Sequence, residues 1–201
     1  MGQTIFIPGF HLLLASESPR RRELLTQVGI PFSVRPSEIQ ELRRDAEPAT
    51  VYVARLAREK ASSHQGVPDR GVLAADTTVV VIDEGTEHIL EKPEDAAAAR
   101  SMLTRLQGRS HQVLTAVCFL YRGTHWEAIE RTEVSIIAMS PAEIDAYIAT
   151  GEPFGKAGAY AIQGLASRFV SRVEGCYFNV VGLPLHCVFK LFAQAGVLAK
   201  V

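Results

Sequence analysis

The run GVLAADTTVVVID, at residues 71–83, limits the possible folds of this chain more than any other part of the sequence. It is rich in β-branched and small apolar residues. The turn signal Asp-Glu-Gly begins at its last residue, Asp83, and a second run, EHILEKP, comes next at residues 87–93. This pattern predicts a long buried strand with a hairpin partner. Asp76 is the one charged residue that lies inside the strand pattern rather than at its end.

Apolar runs and helical patterns alternate along the rest of the chain. The first run is LLLA at residues 12–15, and a helix pattern follows it directly. Helix patterns lie around residues 18–28, 47–64, 93–108, 140–151 and 183–196, and further strand patterns at residues 32–36, 110–122 and 125–139. Such alternation predicts an α/β protein with a mixed sheet. A capping box at Ser140 and Glu143, with Gly151 as the stop signal, supports the fourth helix.

The bulk composition is that of an ordinary globular protein. Of the 201 residues, 47% are hydrophobic and 21% are charged, and the formal net charge is −1. A chain of this length suits one domain, so we expect a single domain over residues 11–201 and a loose N-terminal extension over residues 1–10. With this net charge the protein has no overall positive electrostatic field to attract phosphates, so we do not expect nucleic acid as a partner.

Two further observations concern the environment of the protein. No run approaches the roughly 18 apolar residues that cross a bilayer, so we expect no membrane partner. The three cysteines, Cys118, Cys176 and Cys187, are widely spaced and odd in number. This favours reduced thiols over a disulfide framework or a zinc site, and it favours a cytoplasmic location.

The first helix pattern begins with Arg20, Arg21 and Arg22, although a helix N-terminus favours acidic residues. Ser18 is the expected N-cap. At about 100° per residue, Arg21 lies one turn before the buried stripe that contains Leu24, with Arg20 at its edge, whereas Arg22 points to water. Guanidinium forks beside the N–H groups of a helix start can hold phosphate, and the alternative is a solvated basic face with one ion pair.

Two charged residues stand in apolar surroundings. Asp76 is costly to bury unless it is paired, hydrogen-bonded or bound to a metal. At the carboxyl end of its strand it would lie at the rim of an α/β crevice, and the alternatives are a turn cap or an ion pair with an arginine. Lys60 continues the apolar helix face of Val53 and Leu56, so it either snorkels to the surface, which is the default interpretation, or reaches into a site.

Several polar residues outside the helices are weaker candidates. Lys92 precedes a helix pattern, and Lys156 lies in the glycine-rich stretch PFGKAGAYAIQG, where a backbone can approach a ligand closely. Glu38 and Glu41 follow the second strand pattern. For each of these four residues, a solvated surface charge is the default interpretation. His111, on a strand face, is interpreted as a structural histidine.

Seven of these segments follow one another in an order that resembles the Maf family of nucleotide pyrophosphatases. They span residues 14 to 185 and read LASESPRRRELL, RLAREKA, AADTTVV, LEKP, SHQVLTAV, GEPFGKAGAYAIQG and NVVGLPL. No single segment is specific for the family. The resemblance rests on the presence of all seven segments in this order. The resemblance implies an α/β fold with an elongated mixed β-sheet flanked by helices. It also implies two lobes with a central cleft, similar to inosine triphosphate pyrophosphatases.

The resemblance implies hydrolysis of a nucleoside triphosphate between its α and β phosphates, which gives the monophosphate and pyrophosphate. A divalent cation (Mg²⁺ or Mn²⁺), a cytoplasmic location and a homodimer belong to the same expectation. The segments SPRR, ADT and KAGAYAIQG are similar to those of the branch that acts on dTTP and UTP. Arg20, Thr77 and Gln163 match the specificity positions of that branch. Gln163 offers a donor and an acceptor with which to recognise a pyrimidine edge.

Other roles carry over from the family residue by residue. Asp76 matches the catalytic acid, which is the expected proton acceptor, and Glu41 matches a second acid, so both are candidate metal ligands. The polar residues that bind substrate match Ser16, Arg21, Lys60, Lys92 and Lys156. Gln40 stands where many relatives carry an acid, which weakens a metal role for Glu38 or Glu41. Gly155 stands where some relatives have aspartate before the lysine.

Two alternatives remain open at this point. Asp76 as a metal ligand and Asp76 as a water activator are competing or shared roles, because a fully neutralised carboxylate is not a strong base. The alternative functions are a nucleotide-binding regulator of cell division, or a related pyrophosphatase for 7-methyl-GTP or modified purine nucleotides. Arg20 and Gln163 count against the 7-methyl-GTP branch, whose members tend to have tryptophan after Ser-Pro and to lack the glutamine.

Overall fold

A computed structural model describes residues 5–66 and 70–199 of the chain. The strands are β1 (His11–Leu14), β2 (Ser33–Val34), β3 (Arg70–Asp83), β4 (Thr86–Leu90), β5 (Ser110–Tyr121), β6 (Thr124–Ile136) and β7 (Val170–Glu174). The helices are α1 (Pro19–Gln27), α2 (Ala49–Ser62), α3 (Ala96–Leu106), α4 (Pro141–Ala149), α5 (Tyr177–Val181) and α6 (Leu185–Gln194). Two 3₁₀ helices span Ala157–Ala159 and Leu165–Phe169. Within these described ranges, no helix is both long and apolar enough to span a bilayer.

The described strands form one sheet with parallel and antiparallel pairs. Their order is β2-β1-β3-β5-β6-β7, and β4 pairs with β3 outside this path. Strand β1 runs parallel to β2 and β3, whereas β4 is antiparallel to β3, and β7 is antiparallel to β6. The predicted α/β class with a mixed sheet is therefore confirmed.

The chain divides into two compact units. Unit 1 contains residues up to Asp76, Thr115–Glu130 and the residues from Gly182 onward. Unit 2 contains Thr77–Leu114 and Arg131–Val181. Strands β3, β5 and β6 each pass from one unit into the other. Compact units alone do not establish separate domains, so the single domain over residues 11–201 and the central cleft stay predictions.

Unit 1 has an aromatic core that includes part of the N-terminal segment. Phe6 is only 3% exposed, pairs with Leu198 across an isolated β-bridge, and contacts the rings of Phe10 and Phe192. A Cβ on Gly71 would lie 2.5 Å from the Phe119 ring and 2.7 Å from the Phe10 ring, so only glycine allows this packing. The expectation of a loose extension is therefore wrong for residues 5–10, because aromatic burial attaches them. Residues 1–4 lie outside the described part.

The capping signals in the sequence of unit 2 predict its helices closely, except that one helix starts later than predicted. The predicted capping box of α4 is present: Ser140 accepts from the Glu143 backbone N–H, and the Glu143 carboxylate accepts from the Ser140 backbone N–H. Helix α3 starts later than its proline signal, because the Asp95 side chain caps it by accepting from the Ala98 backbone N–H at 2.7 Å. Helix α3 packs against α4.

Candidate functional site

The start of α1 is held by polar contacts that its arginines make. Ser16 Oγ, in a buried residue, accepts from the Ser18 backbone N–H at 3.2 Å and from Arg21 Nη1 at 3.2 Å. Arg21 Nε donates to the backbone carbonyl of Gly182 at 2.8 Å. The N-cap residue Ser18 makes no side-chain capping bond. The guanidinium of Arg21 is therefore fixed in position by the protein rather than moving in solvent.

The three arginines differ as the helical periodicity predicts. Arg22 is exposed, whereas Arg20 and Arg21 are partly buried. Burial lowers the pKa of Arg21, while the carboxylates of Asp76 and Glu41 act in the opposite direction. Burial also lowers the pKa of Arg20, and Glu23 opposes that shift. The first turn of α1 contains no acidic residue, so it presents positive charge where helices usually carry negative charge.

The central feature of unit 1 is a buried lysine between two carboxylates. Lys60, in the last turn of α2, is only 6% exposed. Its Nζ donates to Asp76 Oδ1 at 2.6 Å and lies 2.5 Å from Glu41 Oε1. The alternative that Lys60 snorkels to the surface is therefore wrong. Glu41 is considerably more exposed than Lys60 and Asp76. We call Arg21, Glu41, Lys60 and Asp76 the charged cluster.

Asp76 does not end its strand. Strand β3 continues to Asp83 and pairs with β1 over residues 70–73 and with β4 over residues 79–83, so Asp76 lies between these two pairings. It is 7% exposed. Burial raises the pKa of Asp76, and the positive charges of Lys60 and Arg21 offset this shift only in part. Carboxyl groups whose pKa is raised by burial are common at functional sites.

Helix α2 also positions the loop that carries Glu41. Tyr52 Oη donates to the Glu41 carbonyl at 3.3 Å, and Arg55 Nη2 donates to the Leu42 carbonyl at 2.9 Å. Two further bonds of 2.7 Å join the Arg55 guanidinium to the buried carboxylate of Glu47. Hydrogen bonding from Arg55 lowers the pKa of Glu47 to about 2. Helix α2 therefore supplies Lys60 and also holds in place the loop that carries Glu41, one of the two carboxylates that contact Lys60.

Unit 2 brings the two candidate loop lysines onto neighbouring segments. The Gly158 backbone N–H donates to the carbonyl of Glu91, the residue before Lys92. Lys156 is partly buried, and its Nζ donates to the Glu152 carbonyl at 2.6 Å, whereas Lys92 is exposed. Gly158 has φ +69°, and a Cβ there would lie 2.8 Å from a methyl group of Val79. Glycine is required for this close approach.

The two specificity candidates in unit 2 differ in their surroundings. Gln163 is exposed, at the end of a loop that Glu152 organises. The Glu152 carboxylate accepts from the backbone N–H groups of Leu165 and Ala166 and from Tyr147 Oη. Thr77 is partly buried and follows Asp76 on β3, so the two side chains point to opposite faces of the strand.

His111 and Tyr160 form a buried polar pair in unit 2. His111 Nε2 lies 2.8 Å from Tyr160 Oη, and both residues are almost fully buried. Within residues 5–66 and 70–199, His111 Nδ1 has no hydrogen-bond partner. Burial lowers the pKa of His111 to about 4 and raises the pKa of Tyr160 well above its usual value. Both side chains are uncharged at neutral pH, which agrees with the structural interpretation of His111.

The donors of the charged cluster are compatible with a divalent cation. Asp76 and Glu41 provide carboxylate oxygens, the ligand type that Mg²⁺ and Mn²⁺ prefer. Both carboxylates contact the same ammonium, so they approach a common point. Gln40, which replaces an expected acid, is exposed.

The family of the chain follows from its sequence. The family model for Maf-like proteins matches residues 11–195. This chain is therefore a member of the Maf-like protein family, as the order of its seven segments predicts.

Its relatives include named enzymes. A dTTP/UTP pyrophosphatase of Anaeromyxobacter sp. (strain Fw109-5) is 50% identical over 192 residues, which cover 93% of this chain and 90% of that protein. A dTTP/UTP pyrophosphatase of Koribacter versatilis (strain Ellin345) is 44% identical over 191 residues, covering 94% of this chain and 97% of that protein. Among solved structures, a HAM1 protein from Coxiella burnetii aligns at 11% identity over 93% of this chain and 98% of that chain, with a TM-score of 0.47.

Three features of these regions were not predicted from the sequence. They are the Gly182 carbonyl that holds Arg21, the Arg55–Glu47 pair behind the Glu41 loop, and the loop-organising Glu152. Glu152 lies in the quoted segment GEPFGKAGAYAIQG, and its glycine-rich surroundings were the available signal. The contact between Arg21 and Gly182 joins residues 161 positions apart, so no local pattern could indicate it.

Proposed function

We propose that this protein is a nucleoside triphosphate pyrophosphatase that hydrolyses dTTP and UTP between the α and β phosphates. The observation that carries the proposal is the buried Lys60, which lies between the carboxylates of Asp76 and Glu41. A carboxylate that can accept a proton and a cation that can bind phosphate lie side by side at this position. Relatives named dTTP/UTP pyrophosphatases, at 44% and 50% identity, support the choice of substrate.

The charge balance of the cluster supports an anionic substrate together with a metal ion. Two carboxylates and two cations sum to zero. A nucleoside triphosphate adds about four negative charges, so further positive charge is needed to hold it. Arg20, Lys92 and Lys156 are our candidates for part of that charge, and a divalent cation is our candidate for the rest.

Ser16, Arg21 and Lys60 are proposed to bind the phosphates. The Ser16 and Gly182 contacts hold the Arg21 guanidinium in one orientation, which lowers the entropic cost of binding phosphate oxygens. An ammonium has three N–H donors. Two of those on Lys60 are directed at carboxylates, and a phosphate oxygen can accept the third.

Asp76 is proposed to orient the attacking water and to accept its proton on a carboxylate oxygen. The water oxygen bonds to the α-phosphorus, the bond from that phosphorus to the α–β bridging oxygen breaks, and pyrophosphate leaves. The raised pKa of Asp76 makes it a better proton acceptor than an exposed aspartate. The cations near Asp76 stabilise the negative charge that develops on the phosphates.

Asp76 and Glu41 are proposed to hold Mg²⁺ or Mn²⁺, with Glu41 as the more adaptable ligand because it is more exposed. When bound, the cation neutralises charge on the reacting phosphates. Recognition of the base is assigned to Arg20, Thr77 and Gln163. We further propose a cytoplasmic location and a homodimer, as in the family that the sequence resembles.

A substrate panel tests this function. The full chain with Mg²⁺ is offered the eight common nucleoside triphosphates together with dITP and 7-methyl-GTP, and pyrophosphate and orthophosphate are measured separately. We expect pyrophosphate release, fastest with dTTP and UTP, loss of activity with a chelator, and recovery with Mg²⁺ or Mn²⁺. Orthophosphate release, or nucleotide binding without hydrolysis, would contradict the proposal, and the second result would favour the regulator.

The same panel examines the role of Gln163. Uracil and thymine present a carbonyl where cytosine presents an amino group, so Gln163→Glu removes a donor that the first two bases need. We expect the preference for dTTP over dCTP to fall roughly tenfold, the lower part of the range for one base contact. Metal dependence should not change. Gln194→Glu, at an exposed position on α6, is the matched control. An unchanged base preference would exclude Gln163 from recognition.

A further inference from the structure

A second polar cluster lies in unit 1 and belongs to none of the functions assigned so far. Glu130 on β6 meets His186 and Cys187 in the first turn of α6. Their ligand atoms, Glu130 Oε2, His186 Nε2 and Cys187 Sγ, all lie within 4.8 Å of one another. We call these three residues the mixed-ligand cluster.

The distances within this cluster match those between the ligands of a tetrahedral zinc ion. His186 Nε2 lies 3.2 Å from Glu130 Oε2 and 3.3 Å from Cys187 Sγ, and Cys187 Sγ lies 3.7 Å from Glu130 Oε2. With Zn–S near 2.3 Å and Zn–N or Zn–O near 2.1 Å, ligand atoms at tetrahedral angles are about 3.4–3.6 Å apart. The three side chains would therefore need to move by only a few tenths of an ångström to share one ion.

The chemistry of the donors selects the kind of metal. A thiolate, an imidazole and a carboxylate together favour a borderline-soft cation such as Zn²⁺, whereas Mg²⁺ prefers oxygen ligands alone. The charged cluster around Asp76 has the opposite character, because its two candidate ligands are carboxylates. The two places in unit 1 therefore suit different metals.

The exposure of the cluster provides a route for the ion. The His186 side chain is 58% exposed, whereas Cys187 is buried. An ion can enter from the solvent side, contact the thiolate from that side and keep water as its fourth ligand, as in zinc sites with three protein ligands.

We propose that Glu130, His186 and Cys187 form a binding site for Zn²⁺ that is distinct from the Mg²⁺ or Mn²⁺ site. The bound ion links β6 to the start of α6. Binding displaces the thiol proton of Cys187 to solvent, so the affinity rises with pH. The count of cysteines alone indicated no zinc site, because two of the ligands are not cysteines.

Cobalt spectroscopy tests the site directly. Co²⁺ is titrated into the chelator-treated full chain in excess Mg²⁺, and the thiolate-to-cobalt charge-transfer band is recorded. We expect one Co²⁺ per chain with this band, and its loss when Zn²⁺ is added. Cys187→Ser should abolish the band, whereas Cys176→Ser, the matched control outside the cluster, should retain it.

Two further variants distinguish loss of metal binding from loss of the folded structure. His186→Gln changes an exposed side chain, so the fold is retained, and we expect Co²⁺ affinity to fall more than about tenfold. Asp76→Asn should keep the band, because the charged cluster contains no sulfur. Absence of a charge-transfer band in the wild type, its persistence in Cys187→Ser, or unchanged affinity in His186→Gln would overturn the proposal. None of these readouts depends on nucleotide hydrolysis, so failure here leaves the pyrophosphatase proposal intact.

Discussion

The two units bury polar side chains in opposite ways. Unit 1 buries charge: Lys60 and Asp76 are both less than 10% exposed and form an ion pair. Unit 2 buries neutral groups: burial lowers the pKa of His111 to about 4 and raises the pKa of Tyr160, so both are uncharged at neutral pH. A neutral pair costs less free energy to bury than a charged one, because burying a charge costs free energy that pairing recovers only in part.

The difference between the units indicates where function lies. Proteins tend to break local rules of stability at functional sites. The charged cluster does so twice, through a carboxylate with a raised pKa and through arginines at a helix start. The His111–Tyr160 pair breaks neither rule. We therefore expect changes in the charged cluster to affect turnover first, and changes in the neutral pair to affect stability first.

The largest expected effect comes from Asp76→Asn. The amide has nearly the same size, and Lys60 keeps Glu41 as its partner, so the variant should fold. It cannot accept a proton, so we expect kcat with dTTP to fall about 10³-fold, within the usual range for general acid–base residues. Steady-state kinetics and circular dichroism measure the two properties separately.

Asp83→Asn is the matched control for this change. Asp83 ends the same strand and pairs with Arg109 at a partly exposed position. It should keep turnover within about twofold, since exposed ion pairs contribute little. A near-normal kcat in Asp76→Asn would contradict the inference that the charged cluster of unit 1 serves turnover.

The next largest effect concerns the neutral pair and the pH dependence of stability. His111 has a pKa of about 4 in the folded protein against 6.5 for an ordinary histidine, so the unfolded chain binds more protons between these values. Stability due to this residue is complete above pH 6.5 and decreases as the pH falls toward 4, by about 3 kcal/mol in total. His111→Gln removes the titrating group, so urea unfolding between pH 7 and pH 4 should show a weaker pH dependence.

His11→Gln, at an exposed position on β1, is the control and should leave the pH dependence unchanged. Turnover of His111→Gln at pH 7 should stay within about twofold of the wild type. A large loss of kcat in a folded His111→Gln protein would show that the two units do not divide function and stability as we infer.

Much of the fold was predictable because its signals are local. The apolar run of β3 and the capping box of α4 depend on residues that are close in sequence. Strand β7 and helix α5 carried no such signal. The five residues of β7 are partly or fully exposed, and α5 is only five residues long, so neither has a hydrophobic period.

The candidate site was predictable in its residue types and less so in its contacts. Periodicity separated Arg21 from Arg22, and the cost of burial singled out Asp76. Snorkelling was the default interpretation of the Lys60 helix pattern, and it was wrong, because snorkelling and burial give the same pattern. Its burial between two acids depends on how α2, β3 and the Glu41 loop pack together, which single-sequence patterns do not encode.

The smallest of these effects tests whether the charged cluster acts through charge alone. Arg21→Lys keeps the charge but loses the planar fork that contacts Ser16 and Gly182 at the same time. If orientation matters, KM for dTTP should rise roughly tenfold, about the worth of one charge-assisted hydrogen bond, with a smaller change in kcat. Arg22→Lys, one residue away and exposed, should leave both constants unchanged.

The two lysine variants also define what burial contributes to this cluster. An exposed arginine that binds phosphate by charge can be replaced by lysine with little loss, because water screens both groups equally. A partly buried arginine held by a hydroxyl and a carbonyl has its geometry fixed before substrate arrives, and lysine cannot satisfy both acceptors with one nitrogen in the same positions. Equal KM values for Arg21→Lys and the wild type would mean that burial of Arg21 serves stability, as it does for the His111–Tyr160 pair. A clear rise in KM would show that unit 1 uses burial to fix the orientation of its charges.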